Sequence, residues 1–236
     1  MPATAATAAA AAANHAFPAP MAVVMREEDD TRTPAVAVAR MGTVVTFARN
    51  AEIFGEDEAA DHVYVVLSGV VRICKLLGDG RRQIETFCLK GDAFGWETGL
   101  RNRFSAEAVS ECRLARVKRN LLFSRATDDS DLARAIWNLT FTELHRAQDH
   151  LLLLGRKTAQ ERVATFLLDL ARRSNPADTS EVHLPMSRQD IADYLGLTIE
   201  TVSRTLTQLE GAATISLPSS RCIVLRDRSA LRRLDS

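Results

Sequence analysis

An α+β chain is the fold class the sequence predicts, and three features predict it. Short β-branched runs broken by glycine turns fill the first half. A long stretch with four-three apolar spacing follows, and short amphipathic helices around a glycine turn close the chain. With 236 residues, 46% of them hydrophobic, the chain can close a real core. Thirty basic and thirty acidic side chains cancel, so overall charge does not mark a polyanion binder.

Residues 1–35 open with "MPATAATAAAAAANHAFPAP" and an acidic "REEDD", low-complexity text with little to bury, and read as a flexible tail. From 36 to 127 come runs such as "GTVVTF", "HVYVVLSGVVRICKLL" and "QIETFCL", the pattern of a β sandwich or barrel. Asp79-Gly80 stands between two of these runs as the pair preferred in a tight hairpin with positive φ at both positions. Residues 128–155 read as one helix, capped by Asp129 or Ser130 and ended by Gly155. Along it Ala133, Trp137, Thr140, Leu144, Ala147, Leu151 and Leu154 alternate spacings of four and three, the seam of a two-stranded coiled coil. The same helix can also be read as packing on its own β domain.

Residues 156–236 form the last segment. In "KTAQERVATFLLDLARRS", Val163, Phe166, Leu167 and Leu170 share one helix face, and Arg172 and Arg173 suit the negative C-terminal end. In "SRQDIADYLGLTIETVSRTLTQLE", Ser187 and Thr198 are caps for two helices and Gly196 supplies the turn between them. Ile191, Ala192, Leu195, Leu197, Val202 and Leu206 lock the pair together as a helix-turn-helix. The second helix then presents Ile199, Glu200, Ser203, Arg204 and Gln208. Arg204 can donate to guanine O6 and N7, Glu200 can accept from cytosine N4, and Ile199 can pack on a thymine methyl. Ser203 can bond a base edge or a phosphate. Backbone phosphates fall to Ser187, Arg188, Thr198, Thr201 and Arg221, the last near the tip of a hairpin made by "ATISLPSSRCIVL" around a Pro-Ser-Ser turn.

Other chemistries find little footing. No run approaches the ~20 apolar residues of a spanning helix, and no basic leader precedes the alanine run, so a cytoplasmic address is expected. Cys74, Cys88, Cys112 and Cys222 are widely scattered and read as ordinary packed or surface thiols, with no metal site. His62, His145, His150 and His183 are isolated and read as polar surface. No P-loop, nucleophile elbow or HExxH pair points to an enzyme.

From about residue 36 onward the chain resembles the CRP/FNR superfamily of bacterial transcription regulators. Glu200-Thr201-Val202-Ser203-Arg204 matches the E-x-x-S-R recognition helix of its FNR and FixK branch, and "QERVATFLLDLARR" and "QDHLLLL" resemble that branch's linker and dimer helices. The segment from Phe54 to Gly95 resembles the cyclic-nucleotide-binding β-roll, a double-stranded β-helix, with Gly55, Gly69, Gly80, Gly91 and Gly95 at its turns. The resemblance implies a β-roll, a long dimerisation helix and a C-terminal winged helix-turn-helix, with Arg204 on guanine, Glu200 on its partner cytosine and Ser203 near a thymine. It departs from cyclic-nucleotide binders at two positions. Trp96 stands where a ribose-binding glutamate is expected, and Phe104 where the phosphate-binding arginine is expected. An iron-sulfur sensor is also unexpected, since no cysteine precedes Cys74.

The expectation is therefore a homodimeric transcription activator that needs no cofactor, contacts RNA polymerase, and reads a TTG-N-CAA type palindrome in nitrogen-fixation or microaerobic regulation. An effector-gated regulator with a small molecule in the β-roll is the alternative. The expected dimer interface is Trp137, Thr140, Leu144, Ala147, Leu151 and Leu154. Ala147 replaces the acidic seam residue that weakens the free dimer in FNR-type relatives, and the hairpin loop "LGDGRR" is a candidate polymerase contact.

Overall fold

Eight short strands supply the first domain of the computed structural model, which describes residues 33–174, 177 and 180–235. The tail expected over 1–35 lies almost wholly outside the described residues. Strands β1 (Thr43–Phe47), β8 (Cys112–Lys118), β3 (His62–Ser68) and β6 (Ala93–Phe94) form one antiparallel sheet in that order. Strands β2 (Glu52–Phe54), β7 (Ser105–Ala108), β4 (Val71–Leu76) and β5 (Arg82–Cys88) form the other.

Strand β3 shows why the sequence there is apolar without alternation. Tyr64 and Val66 face inward between the sheets, while Val63 and Val65 pack outward under helices, so both faces are buried. Those helices are α1 (Pro34–Ala39), α2 (Arg119–Ala126) and α3 (Ser130–Arg156). Helix α1 corrects the expectation of strand from Val36. Pro34 starts it, and Ala35 and Val38, three apart, are buried against the outer face of the sheet. The β4–β5 turn differs as well. Of Asp79 and Gly80 only Gly80 takes positive φ (84°), and the Gly80 amide donates to the Leu77 carbonyl at 2.9 Å. That arrangement is a three-residue loop ending in a left-handed glycine.

Helix α3 begins as expected at Asp129, whose Oδ1 accepts from the Asp131 and Leu132 amides at 3.0 Å. It continues through Gly155, however, and ends at Arg156. Helices α4 (Ala159–Ser174), α5 (Arg188–Leu195), α6 (Ile199–Gly211) and α7 (Arg228–Asp235) complete the second domain. With them goes a three-stranded sheet ordered β10 (Ile215–Ser219), β11 (Cys222–Leu225) and β9 (Glu181–His183). The third strand β9 and helix α7 go beyond the sequence reading. Ser219 pairs with Cys222, so the turn is Ser220-Arg221, and Pro218 and Ser219 belong to the strand.

A single core runs from the outer face of the β4–β5 hairpin into the second domain, joining Cys74, Ile84 and Phe87 to Phe166, Leu167, Ile191 and Leu195. The Phe87 ring lies 5.4 Å from Tyr194 and 6.3 Å from Phe166. Two buried carboxylates reinforce this contact. Asp92 accepts from Arg173 at 2.7 Å and pairs with Arg146 of α3 at 2.8 Å. Arg173 therefore ties α4 to the roll, also donating to the Phe87 carbonyl at 2.7 Å, where the sequence suggested only a helix-end charge. Burial opposes its charge, yet Asp92 and Asp169 hold the guanidinium above its usual range.

Asp190 divides its two oxygens between the domains. Oδ1 meets Arg72 at 3.1 Å and Arg82 at 2.5 Å, while Oδ2 accepts from the Ser187 amide at 2.9 Å and the Ser187 hydroxyl at 2.8 Å. Burial pushes this carboxyl up, but the Ser187 hydrogen bonds and both arginines outweigh it and leave it below the usual carboxylate range. Its stabilisation is therefore complete above about pH 4 and is lost as pH falls through the lower folded-state value. Asp190→Asn removes the charge shared by two part-buried guanidinium groups, which keep Glu107 and Asp193 as their remaining partners. It is expected to lower stability in urea unfolding by roughly 1.5–3 kcal/mol. A loss below about 1 kcal/mol, as at an exposed pair, contradicts this role.

Candidate nucleic-acid interface

The two helices of the motif are built by their caps. Ser187 and Asp190 form a reciprocal capping box at the start of α5. Gly196 ends that helix in the left-handed conformation (φ 61°), and its amide bonds the Ala192 carbonyl. A Cβ at Gly196 would lie 3.3 Å from Leu154 Cδ2 and 3.4 Å from Arg162 Nη1, so the turn is confined on the protein side too. Thr198 caps α6 by accepting from the Thr201 amide at 3.2 Å. Ile191, Ala192, Leu195, Val202, Leu206 and Leu209 are buried between the helices and the rest of the domain.

What α6 leaves outside is a continuous polar face. Glu200, Ser203, Arg204, Thr207 and Gln208 are exposed, Ile199 is 37% exposed, and Thr201 is half-buried. Glu200 accepts from its own amide and from the Thr198 hydroxyl, with Arg204 adding attraction, and its carboxyl lies below its usual range. At neutral pH the helix thus presents a carboxylate and, four residues on, a guanidinium. A carboxylate accepts from an exocyclic amine, and a guanidinium donates in parallel to two acceptors, the complementary needs of a G·C edge in the major groove.

The expected phosphate contacts are distributed around this face. Ser187 and Thr198 are exposed at the two helix starts, where amide dipoles favour an anion, and Arg221 is exposed in the β10–β11 turn. Arg188 behaves differently. It is half-buried, its Nη1 has no partner among the described residues, and burial lowers its pKa.

The long helix α3 has two unlike faces. Outward lie Trp137, Thr140, Leu144, Ala147 and Leu151 of the expected seam, with Trp137 66% and Leu151 71% exposed. Leu154 leaves that face and packs partly buried into the core of the second domain. Phe141 and Leu152 join the exposed apolar set, and Phe141 meets Trp137 edge-on at 5.2 Å. The four-three template passed over both residues because each sits one position after a seam residue.

Inward, His150 stacks on Tyr194 at 4.3 Å, and neither ring nitrogen has a hydrogen-bond partner among the described residues. Burial, with Arg162 nearby, pushes its pKa down to about 4, which corrects the surface reading. Glu143, on the same helix, is pushed up to about 7 by burial.

Two family models match the chain, a cyclic nucleotide-binding domain over residues 44–126 and a Crp-like helix-turn-helix domain over 161–234. The nitrogen fixation regulation protein FixK of Azorhizobium caulinodans is 72% identical over 211 residues, 88% of this chain and 85% of that protein. The chain belongs to the CRP/FNR family, as a FixK-type transcription regulator. FixK of Rhizobium meliloti is 44% identical over 81% of this chain and 86% of its own length. The structure of FixK2 from Bradyrhizobium japonicum superposes with a TM-score of 0.78 at 51% identity, covering 83% of this chain and 98% of that one. The helix-turn-helix of this FixK-type regulator is accordingly a DNA-binding unit, and its close relatives are regulators, not enzymes. Among the described residues no helix is long and apolar enough to cross a membrane.

Gly196→Ala forces a side chain into the left-handed region of the motif turn. It is expected to cost about 1–2 kcal/mol of stability in thermal unfolding and to weaken DNA binding. In an NMR titration the His150 ring protons should not shift between pH 5.5 and 8, because the imidazole stays neutral throughout; a midpoint near 6.5 contradicts its burial.

Proposed function

We propose that this regulator works as a homodimeric, sequence-specific transcription activator that reads a TTG-N-CAA type palindrome with no obligatory small molecule. The observation that carries the reading is the exposed pair Glu200 and Arg204 on α6, in one molecule with an exposed apolar stripe on α3. A stripe of Trp137, Phe141, Leu144 and Leu151 left in water is unfavourable, and a second copy of the helix covers it with knobs-into-holes packing. The twofold axis of such a pair sets two recognition helices into successive major grooves about 34 Å apart, which demands a palindromic site. Within each half-site Arg204 takes the guanine, Glu200 the paired cytosine, and Ile199 and Ser203 lie near thymines. Ser187, Thr198, Thr201, Arg221 and a re-extended Arg188 take backbone phosphates.

Effector independence is supported by the interior of the roll. Phe54, Tyr64 and Phe94 fill it with ring centroids 5.3 to 6.1 Å apart, and Phe104 packs against the same cluster. A cyclic phosphate placed there without a guanidinium carries an uncompensated desolvation cost. Trp96, in turn, is engaged with the Ala93 carbonyl at 3.2 Å. The FixK relatives are nitrogen fixation regulation proteins, which supports assignment to nitrogen-fixation control. RNA polymerase is the remaining partner. Arg82 of the "LGDGRR" loop is occupied by Asp190 and Asp193, so any polymerase contact there rests on the exposed Leu77–Arg81 tip.

Arg204→Ala is expected to remove discrimination for the half-site guanine, about 1–3 kcal/mol, while leaving the dimer intact. Selection of bound sequences from a random DNA pool by the ligand-free protein measures both palindrome and base preference, and an unchanged guanine preference in the variant overturns the assignment. In sedimentation the native chain should be a dimer at micromolar concentration and the double variant Leu144→Glu, Leu151→Glu a monomer. A native monomer, or a requirement for an added ligand, refutes constitutive pairing.

A further inference from the structure

The sheet of the second domain carries a feature outside the DNA-reading face. Strand β9 runs antiparallel to β11 with His183 directly opposite Cys222, Val182 opposite Ile223 and Glu181 opposite Val224. Side chains alternate across a sheet, so the wholly buried Val182 and Ile223 fix one face as core and turn Glu181, His183 and Cys222 together to the other. Two positions two apart on one strand, plus the residue opposed to one of them, are the closest trio a sheet can offer on a single face. In this trio every member is a metal-ligating type. Glu181 Oε1 lies 3.1 Å from Cys222 Sγ and 3.2 Å from His183 Nε2, and all three donor atoms fall within 4.8 Å of one another.

We propose that Glu181, His183 and Cys222 form a three-donor site for a zinc-class divalent ion on the outer face of this sheet. One nitrogen, one sulfur and one carboxylate oxygen are the donor types zinc takes, and three protein ligands leave its fourth tetrahedral position to water. Metal–ligand lengths of zinc imply donor separations of about 3.4–3.6 Å in a tetrahedron. The present separations need only small rotamer changes at the exposed Glu181 and His183 and the half-buried Cys222, with no backbone movement. A hard cation such as calcium, which needs six or more oxygens, finds a single carboxylate here and does not fit.

The charge balance also favours binding. At present the Glu181 carboxylate accepts a hydrogen bond from the Cys222 thiol, and His183 Nε2 lies 3.2 Å from the same oxygen. On binding, the ion displaces the thiol proton to solvent, one proton per ion. Thiolate and carboxylate then neutralise the two positive charges. Access is open, since Glu181 and His183 line a cleft of about 660 Å³ that reaches Arg221. The bound ion would clip β9 to β11 at the base of the Ser220-Arg221 turn, where the Leu184 amide already bonds the Arg221 carbonyl at 2.8 Å. The site stands independently of the base contacts assigned to α6.

Cobalt(II) titration of the full-length reduced protein tests this directly. One cobalt per chain is expected, with a thiolate-to-metal charge-transfer band in the near ultraviolet and tetrahedral bands in the visible, all displaced by zinc. Cys222→Ser should abolish the charge-transfer band, and His183→Ala should weaken zinc binding at least about tenfold. Cys74→Ser, at a buried thiol in the roll, should change neither. Far-ultraviolet circular dichroism of each variant checks that the chain is folded. Absence of the charge-transfer band at stoichiometric cobalt, its survival in Cys222→Ser, or unchanged zinc affinity in His183→Ala each overturns the site.

Discussion

The orientation of the DNA-reading helices rests on one shared carboxylate, Asp190. The same side chain that completes the capping box of α5 also receives Arg72 and Arg82 from the roll, so the start of the motif's first helix and its docking surface are one construction. A buried ion pair of this kind gains little net stability, because the desolvation of three charges offsets much of their attraction. What it supplies is geometry. The apolar contact of Phe87 with Phe166 and Tyr194 tolerates sliding, whereas two guanidinium groups converging on one oxygen do not. Asp92, holding α3 and α4 through Arg146 and Arg173, sets a second fixed point, and together they orient the helix-turn-helix against the roll.

Helix α3 connects this orientation to the proposed pairing. Its inner face is committed to its own chain through Leu132, Ala135 and Leu153, and through His150, kept neutral against Tyr194. The outer face holds large apolar side chains in solvent. In the proposed dimer that face would carry its twofold symmetry to α6 through the contacts of Asp190 and Asp92. The interior of the roll is packed with Phe54, Tyr64, Phe94 and Phe104.

Much of this was legible in the chain. The strand runs, the caps at Asp129, Ser187 and Thr198, the turn glycine and the exposed set on α6 all depend on neighbours within a few residues, where spacing and side-chain chemistry decide the outcome. The misread elements share a different cause. Val36 to Ala39 alternates like a strand but is helical because Ala35 and Val38 find a surface on the roll. Gly155 stays inside a helix whose preceding residues Leu153 and Leu154 are anchored in the core of the second domain, at the small cost of an interior glycine. Leu154 follows the seam spacing yet turns inward, since Gly196 leaves room beside it.

By itself, then, the amino-acid sequence determined that this protein is a β domain, a long helix and a helix-turn-helix with an acid and a base one turn apart, because periodicity and capping are local properties. Tertiary structure alone decided that Arg72 and Arg82 meet Asp190, that His150 is buried, and that Cys222 comes to lie beside His183 and Glu181. Those encounters join residues about 40 to 120 positions apart in the chain, and long-range pairing follows from how whole faces pack, which no short window of sequence contains.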